Sequence, residues 1–144
     1  MKSEYDFLRY LEKIKIFHKN IVRGIGDDCA VLRFNNKNYV LTTDTSLLGP
    51  HFTKDYTPEE IGHKSLATNL SDIAAMGCIP LYALYAITLP KMSESWIKRF
   101  FRGTKKLLQE YNVSIIGGDT TRGPLSISIC SRSAYSRLKA YVLM

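Results

Sequence analysis

The sequence predicts an α+β fold in which helices flank a mixed β-sheet. Segments with helical periodicity alternate with short segments rich in β-branched and aromatic residues, giving the order α-β-β-α-β-α-β-β. The chain has 144 residues, enough for one domain, and 45% of them are hydrophobic, enough for a buried core. The sequence contains no internal repeat and no low-complexity linker.

The first third of the chain is predicted to contain one helix and a β-hairpin. Residues 3–17 suit a helix because Ser3 is a capping residue and apolar side chains recur at helical spacing. A glycine-rich turn at residues 24–28 follows. Ala30–Phe34 and Tyr39–Thr45 are predicted to be strands, joined by an asparagine-rich turn.

A strong helix signal begins at Thr57. Thr57 and Glu60 have the spacing of a capping box, with a proline at the first helical position between them. The predicted helix continues to about Met76, and Gly77 is suited to follow its end because glycine tolerates left-handed backbone.

The second half of the chain is predicted to add three strands and a helix. Leu81–Leu89 is almost entirely apolar, which indicates a strand that is buried on both faces. Ser93–Tyr111 has the pattern of an amphipathic helix. Val113–Ile116 and Leu125–Ile129 are predicted to be short strands, separated by a tight loop at residues 117–123.

Charge and cysteine content restrict the class of protein. The net charge is +7, but the basic residues are scattered, so we interpret them as a solvated surface, with nucleic-acid binding or a site for phosphorylated ligands as the alternative. No apolar run has the length of a membrane span, and the first residues lack a signal-peptide layout. Cys29, Cys78 and Cys130 suit neither a disulfide framework nor a zinc site. We expect a cytoplasmic protein with reduced thiols and with no nucleic-acid or membrane partner.

Two acidic motifs lie in the first third of the chain. Asp27 and Asp28 are adjacent on a turn, where their carboxylates repel each other unless a cation or donors compensate; an ordinary Asx turn is the alternative. Thr42 and Asp44 lie on one face of a predicted strand, beside Thr43. A carboxylate with neighbouring hydroxyls suits Mg²⁺, although a solvent-facing strand end explains this motif equally well.

Two further acidic positions lie later in the chain. Asp72 ends a small polar helix stripe that includes Ser65 and Asn69, with an apolar stripe predicted on the opposite side. A lone acid there suits either a cation or internal hydrogen bonds. Asp119 follows two glycines in a predicted loop, where the backbone can approach a phosphate and the carboxylate can hold a bridging metal. A hairpin loop has the same composition.

Standard nucleotide-binding loops are absent from the sequence, which contains neither GxxxxGK[ST] nor GxGxxG. His51 lies in a loop after Asp44. Taken alone, each of the three histidines suits an exposed or structural position.

Together these segments resemble the thiamine-monophosphate kinase family, within the wider group that includes aminoimidazole ribonucleotide synthase and selenophosphate synthetase. The matching segments occur in the family's order at residues 24–30, 42–45, 51–52, 64–77 and 117–126. The run GGDTTRGPLS and the pair His51-Phe52 favour this kinase over its relatives. The resemblance covers nearly all of the chain up to about Ile129.

The resemblance implies ATP- and Mg²⁺-dependent phosphorylation of thiamine monophosphate to thiamine diphosphate. It assigns several Mg²⁺ ions to one set of side chains: Asp28, Thr42, Thr43, Asp44, Asp72 and Asp119. It places Gly118 and Asp119 against the ATP phosphates and His51 against the thiamine phosphate. Asp27 would support the metal cluster without being a firm ligand. The chemistry needs no side-chain nucleophile, and we predict no catalytic side chain.

The resemblance also implies a homodimer whose sheet is completed by the partner's sheet. Residues 1–129 are predicted to form the metal- and ATP-binding, dimerising domain, and residues 130–144 an aberrant tail. The family continues with an ATP-contacting arginine and a C-terminal domain that have no counterpart in this sequence. We therefore expect little or no kinase activity from this chain alone.

Three alternatives remain open. A non-catalytic dimerising fragment that binds Mg²⁺ and nucleotide differs from the kinase only in activity. A related ATP-dependent enzyme of the same superfamily would prefer another substrate. A nucleic-acid-binding domain rests on charge alone and predicts salt-sensitive binding to random duplex DNA.

Overall fold

The computed structural model describes residues 3–14 and 18–134. Within these ranges, three helices and six strands follow one another along the chain. Their bounds are α1 Glu4–Leu11, β1 Ile21–Arg23, β2 Ala30–Phe34, β3 Lys37–Leu47, α2 Pro58–Ala75, β4 Ile79–Leu89, α3 Glu94–Glu110, β5 Ser114–Arg122 and β6 Ser126–Ala134. The predicted α+β class with a mixed sheet is confirmed.

The six described strands form one sheet in the order β1-β2-β3-β6-β4-β5. Neighbouring strands are antiparallel except for β4 and β5, which are parallel. The turn between β2 and β3 is formed by Asn35 and Asn36, whose φ angles of 48° and 60° are those that tight hairpin turns require. The pairing register places Asp44 opposite Ile129 and Ile129 opposite Tyr85.

Helices α2 and α3 cover one face of the sheet and form the core with it. Phe100 is fully buried and packs edge-on against Tyr85, with ring centroids 6.1 Å apart. Leu66 of α2 is also fully buried. The predicted capping box is confirmed, because the N–H of Glu60 donates to the Thr57 hydroxyl at 3.3 Å and the Glu60 carboxylate accepts from the N–H of Thr57 at 2.7 Å.

The amino-terminal segment differs from its prediction. Helix α1 ends at Leu11 rather than at residue 17, and residues 15–17 lie outside the described part of the chain. Ser3 caps it by accepting from the N–H of Asp6 at 3.2 Å. No residue of α1 is buried, so its apolar stripe does not contribute to the core that the described residues form. Strand β1, which follows, was not predicted.

The prediction that the strand at residues 81–89 is buried on both faces is wrong. In β4 the side chains of Ala83, Tyr85 and Ile87 are buried, whereas those of Tyr82 and Leu84 are each 40% exposed. Burial alternates along the strand, as expected for a sheet with one covered face. The sequence conceals this alternation because the exposed side chains are also apolar.

The prediction of a tight loop at residues 117–123 is also wrong. Residues 114–122 form the edge strand β5, and every residue of it is exposed. Glycine and aspartate are depleted in strands, so the composition indicated a loop. Strand β6 continues past Ile129 to Ala134, which makes residues 130–134 part of the sheet, while residues 135–144 lie outside the described part of the chain.

Across residues 3–14 and 18–134, no helix has both the length and the apolar character needed to cross a membrane.

Candidate functional site

Strand β3 and helix α2 bring three of the predicted site residues together. The hydroxyl of Thr42 lies 2.8 Å from a carboxylate oxygen of Asp72 and donates to it. The same hydroxyl oxygen lies 3.2 Å from the backbone carbonyl of Asp28. Thr42 is buried and Asp72 is half-buried. This contact therefore fixes the strand, the helix and the turn at residues 24–28 around one point.

Asp44 lies two residues further along the same strand and is incompletely satisfied. Its Oδ2 atom is buried and has no hydrogen-bond partner in the described structure. Burial raises the pKa of Asp44, the charge of Asp72 raises it further, and the proximity of His51 lowers it. A buried polar atom without a partner destabilises a fold by roughly 1–3 kcal/mol. An unpaired oxygen beside a second carboxylate is a donor set that fits a hard cation such as Mg²⁺.

The two carboxylates of the turn at residues 24–28 differ in their surroundings. Asp27 forms an ion pair with Arg23 and accepts from the N–H of Asp28 at 3.0 Å. The hydrogen bond from Arg23, followed by that from Asp28, lowers the pKa of Asp27. The side chain of Asp28 is exposed. Asp27 is thus compensated by Arg23, and Asp28 is the carboxylate of this turn that is open to a cation.

The polar stripe of α2 faces the sheet. Ser65 and Asn69 are buried, and the side-chain amide of Asn69 donates to the backbone carbonyl of Ile129 at 2.9 Å. The apolar stripe was predicted on the opposite side of the helix, but Leu66 and Leu70 are also buried against the core. Both stripes face inward because residues adjacent in sequence are only about 100° apart around a helix.

The loop that follows β3 presents His51. The Nδ1 of its imidazole accepts from the backbone N–H of Leu47 at 3.1 Å, and the backbone N–H of His51 donates to the carbonyl of Leu47 at 3.1 Å. Phe52, which is 2% exposed, anchors the loop in the core. Because Nδ1 is an acceptor, the neutral imidazole carries its proton on Nε2. The exposed side chain of His51 is thereby oriented as a hydrogen-bond donor.

Gly118 and Asp119 lie on the edge strand β5. Gly118 has a φ of 151°, and a Cβ at this position would overlap the backbone carbonyl of Tyr85. This glycine is thus needed for the pairing of β5 with β4, a reason that sequence composition does not separate from phosphate binding. The carboxylate of Asp119 is exposed and accepts from the hydroxyl of Thr121 at 3.2 Å.

Two cavities meet at Gly118 and Asp119. The first, about 310 Å³ in volume, lies between α3 and β5 and has apolar walls that include Ile97 and Phe101. The second, about 350 Å³ in volume, opens on the uncovered face of the sheet and extends to Thr43. Asp119 can therefore contact a ligand that lies in either cavity.

The predicted metal residues fall into two groups. One group lies where α2 crosses β3 and contains Asp28, Thr42, Asp44 and Asp72. Asp119 lies on β5, which is separated from β3 by the strands β6 and β4. Three strand spacings separate β3 from β5, which corresponds to about 14 Å. In the described ranges, no three His, Cys, Asp or Glu side chains come close enough together to form a metal-binding group. The acidic residues thus lie in two places, with Asp28, Asp44 and Asp72 beside α2 and Asp119 on the sheet edge, where it shares a cavity with Thr43.

Sequence reasoning missed three contributors to this region. Arg23 was not expected to pair with Asp27, although the i,i+4 spacing is visible in the sequence. Lys64 donates to the backbone carbonyl of His51, a contact between distant segments that no local pattern signals. Phe101 was not singled out because the stripe predicted for α3 contains Trp96, Phe100 and Leu107, and Phe101 lies beside that stripe.

Comparisons with known proteins show the family to which the chain belongs. Residues 26–132 match the family described as AIR synthase related protein, N-terminal domain. The thiamine-monophosphate kinase of Buchnera aphidicola subsp. Acyrthosiphon pisum is 39% identical over 144 residues, which are 99% of this chain and 44% of the relative. The thiamine-monophosphate kinase of Escherichia coli K12 is 43% identical over 122 residues, covering 84% of this chain and 38% of the relative.

Solved structures of similar proteins have the same fold as this chain. The structure of AaThiL complexed with AMPPCP and TMP superposes with a TM-score of 0.83 at 31% identity, covering 93% of this chain and 42% of that chain. A thiamine-monophosphate kinase from Stenotrophomonas maltophilia K279a has a TM-score of 0.69 at 41% identity. The chain thus spans less than half the length of these relatives.

Proposed function

Because the chain belongs to the AIR synthase related family and is similar to thiamine-monophosphate kinases along most of its length, we propose that it is the metal- and ATP-binding half of such a kinase. In this reaction an oxygen of thiamine monophosphate forms a bond to the γ-phosphorus of ATP. The bond to the β-phosphate oxygen breaks, and ADP and thiamine diphosphate are released.

The observation that carries the proposal is the unpartnered carboxylate oxygen of Asp44 beside the Thr42–Asp72 contact. Two carboxylates beside a hydroxyl oxygen suit Mg²⁺, and Asp28 lies on the neighbouring turn, where its backbone carbonyl contacts the same hydroxyl. Bound Mg²⁺ supplies neutralisation of the phosphate charge and alignment of the two phosphates. Asp119 on the edge strand and Thr43 on β3 are the remaining proposed oxygen ligands, and both line one cavity.

Nucleotide binding is proposed at the edge strand. The apolar groove that contains Ile97 and Phe101 suits a nucleobase, because an aromatic wall can pack against its ring. Gly118 and Asp119 lie at the end of this groove, where the phosphates would follow. His51 is proposed to donate from Nε2 to the phosphate of thiamine monophosphate, since Nδ1 is occupied by Leu47.

We further propose that the chain acts as a homodimer in the cytoplasm. The sheet face opposite the helices carries the exposed side chains of Tyr82 and Leu84, which suits a partner sheet. The described cysteines are all free thiols, as in a reducing compartment. The chain spans less than half the length of its relatives, so we expect the chain alone to form little or no thiamine diphosphate.

The proposal is tested by measuring ATP binding to the 144-residue chain with and without Mg²⁺, by isothermal titration calorimetry. Binding should require Mg²⁺ and weaken by roughly tenfold or more in Asp44→Asn and Asp72→Asn, because each change removes one charged ligand. Binding that is equally tight in EDTA, or unaffected by both substitutions, would refute the assignment. Robust formation of thiamine diphosphate by the purified chain would refute the expected loss of turnover.

A second candidate is a dimerising fragment that binds Mg²⁺ and nucleotide without catalysis, favoured by the partial coverage of the relatives. It makes the same binding predictions. Supplying a carboxy-terminal half from a thiamine-monophosphate kinase in trans distinguishes the two, because only the kinase half would then form thiamine diphosphate.

A further inference from the structure

A lysine of helix α2 contacts the loop that carries His51. The Lys64 ammonium donates to the backbone carbonyl of His51. It also lies 5.5 Å from the centroid of the Tyr56 ring. The Tyr56 ring in turn packs against Phe52, with centroids 6.5 Å apart. Lys64 therefore contacts the loop between β3 and α2 at two places, the carbonyl of His51 and the ring of Tyr56.

These contacts fix His51 at two points. Its carbonyl is held by Lys64, and its Nδ1 is held by the N–H of Leu47 at 3.1 Å. The loop also closes on itself, because the N–H of Gly49 donates to the carbonyl of Phe52 at 2.8 Å. An exposed imidazole with its backbone and one ring nitrogen fixed has a single remaining direction for its Nε2–H.

We propose that Lys64 is a positioning residue that holds His51 so that its Nε2–H donates to the phosphate of the acceptor substrate. Lys64 acts through the loop, because its ammonium is already engaged by a carbonyl and an aromatic ring. The substrate half of this inference rests on the proposed kinase function. The structural half, in which Lys64 maintains the contact between His51 and Leu47, does not.

The amide of Leu47 reports this contact directly. Its N–H donates to the imidazole of His51, so its hydrogen exchange measures how often the loop opens. The amide of Val113, which donates to the carbonyl of Leu108 at 2.9 Å in another part of the fold, serves as a reference for global opening. Exchange is measured by NMR on the 144-residue chain without any ligand.

Lys64→Met and His51→Ala are each expected to speed exchange at Leu47 by roughly tenfold or more, with Val113 unchanged. Lys64→Arg should restore slow exchange, because a guanidinium can make both contacts. Lys105→Met, which removes an exposed lysine from α3, is the matched control and should have no effect. Unchanged exchange at Leu47 in either Lys64→Met or His51→Ala would overturn the inference.

The substrate half is tested by titrating thiamine monophosphate, and separately AMPPCP, in the presence of Mg²⁺. Lys64→Met should weaken the affinity for thiamine monophosphate by about tenfold, as expected for a lost charge-assisted contact, and leave that for AMPPCP unchanged. Equal affinity of wild type and Lys64→Met for thiamine monophosphate would overturn the positioning role. If the wild-type chain binds no thiamine monophosphate, the proposed function fails for this chain, while the Leu47 amide still decides whether Lys64 holds the loop.

Discussion

The hydroxyl of Thr42 donates to the carboxylate of Asp72 at 2.8 Å and so joins strand β3 to helix α2. Asp44 lies beside this contact with one buried oxygen that has no partner in the described structure. An interior selected for stability alone would pair or remove such a carboxylate. The arrangement is therefore a destabilising feature that ligand binding can offset, as is common where function and stability conflict.

Mg²⁺ is expected to raise the melting temperature of the chain. At a concentration tenfold above its dissociation constant, an ion that binds only the folded state adds about 1.4 kcal/mol of stability. This corresponds to a shift of roughly 3–8 °C for a domain of this size. Asp44→Asn and Asp72→Asn should each lose most of that shift, measured by differential scanning calorimetry after EDTA treatment.

Asp55→Asn provides the control for this experiment. Asp55 is an exposed acid outside the site, and its carboxylate accepts only from the hydroxyl of Thr53 among the hydrogen bonds resolved, at 3.4 Å. The variant should keep the full shift with Mg²⁺. An equal shift in wild type, Asp44→Asn and Asp55→Asn would mean that Mg²⁺ acts elsewhere on the chain.

The raised pKa of Asp44 gives the metal-free chain a specific pH dependence. The folded chain holds this proton more tightly than the unfolded chain, in which the pKa is near 3.8. The contribution of Asp44 to stability is therefore greatest below pH 3.8 and is lost as pH rises through the folded pKa. At neutral pH the ionised carboxylate is destabilising, because of its burial and then its repulsion by Asp72.

Asp44→Asn should accordingly be more stable than wild type at pH 7 in EDTA, and this advantage should shrink toward pH 4. Urea unfolding at the two pH values measures the difference in the free energy of unfolding. Asp55→Asn again serves as the control, with no gain at pH 7. A substitution at Asp44 that destabilises the chain equally at both pH values would contradict the assigned environment.

The sequence was sufficient to predict features that depend on local chemistry. The capping box at Thr57 and Glu60 and the bounds of β2 depend on neighbouring residues, and both predictions are confirmed. The glycine after α2 is confirmed in the same way, because Gly77 has a φ of 63°. The acidic positions could be identified as candidate ligands, but their composition alone did not separate a site from a turn or a strand end.

Features that depend on distant partners were not predictable. Nothing near β5 shows that it pairs in parallel with β4, so its glycines were assigned to a loop. The one-sided burial of β4 depends on what covers each face of the sheet. The contact of Lys64 with His51 arises only when the loop folds back onto α2.

Gly118→Ala is expected to destabilise the chain by about 3 kcal/mol or more. The added Cβ would overlap the carbonyl of Tyr85, and relief of such a clash requires movement of the backbone of β4 or β5. Urea unfolding gives the free energy, and the loss should be accompanied by faster hydrogen exchange in β5.

Gly49→Ala is the matched control for the backbone term. Gly49 also has a positive φ, of 104°, but a Cβ there would have no atom within 4 Å. The expected loss is about 1–2 kcal/mol, from the strained backbone alone. Equal losses for the two variants would show that close approach to Tyr85 is not what requires Gly118.

The uncovered sheet face predicts the oligomeric state. The side chains of Tyr82 and Leu84 are each 40% exposed on the sheet face opposite α2 and α3, and β5 pairs on one side only, with β4, so that it forms an edge of the described sheet. Exposed apolar faces and long edge strands favour association with another sheet. The wild-type chain should therefore be dimeric at micromolar concentration in sedimentation equilibrium.

Leu84→Arg should weaken this dimer by at least tenfold, because it places an unpaired charge in the middle of an apolar contact. Met92→Arg is the matched control, since Met92 is 58% exposed outside the sheet and the change adds the same charge. A monomeric wild-type chain would refute the dimer. If the dimers of Leu84→Arg and Met92→Arg are equally tight, the subunits associate through a different surface.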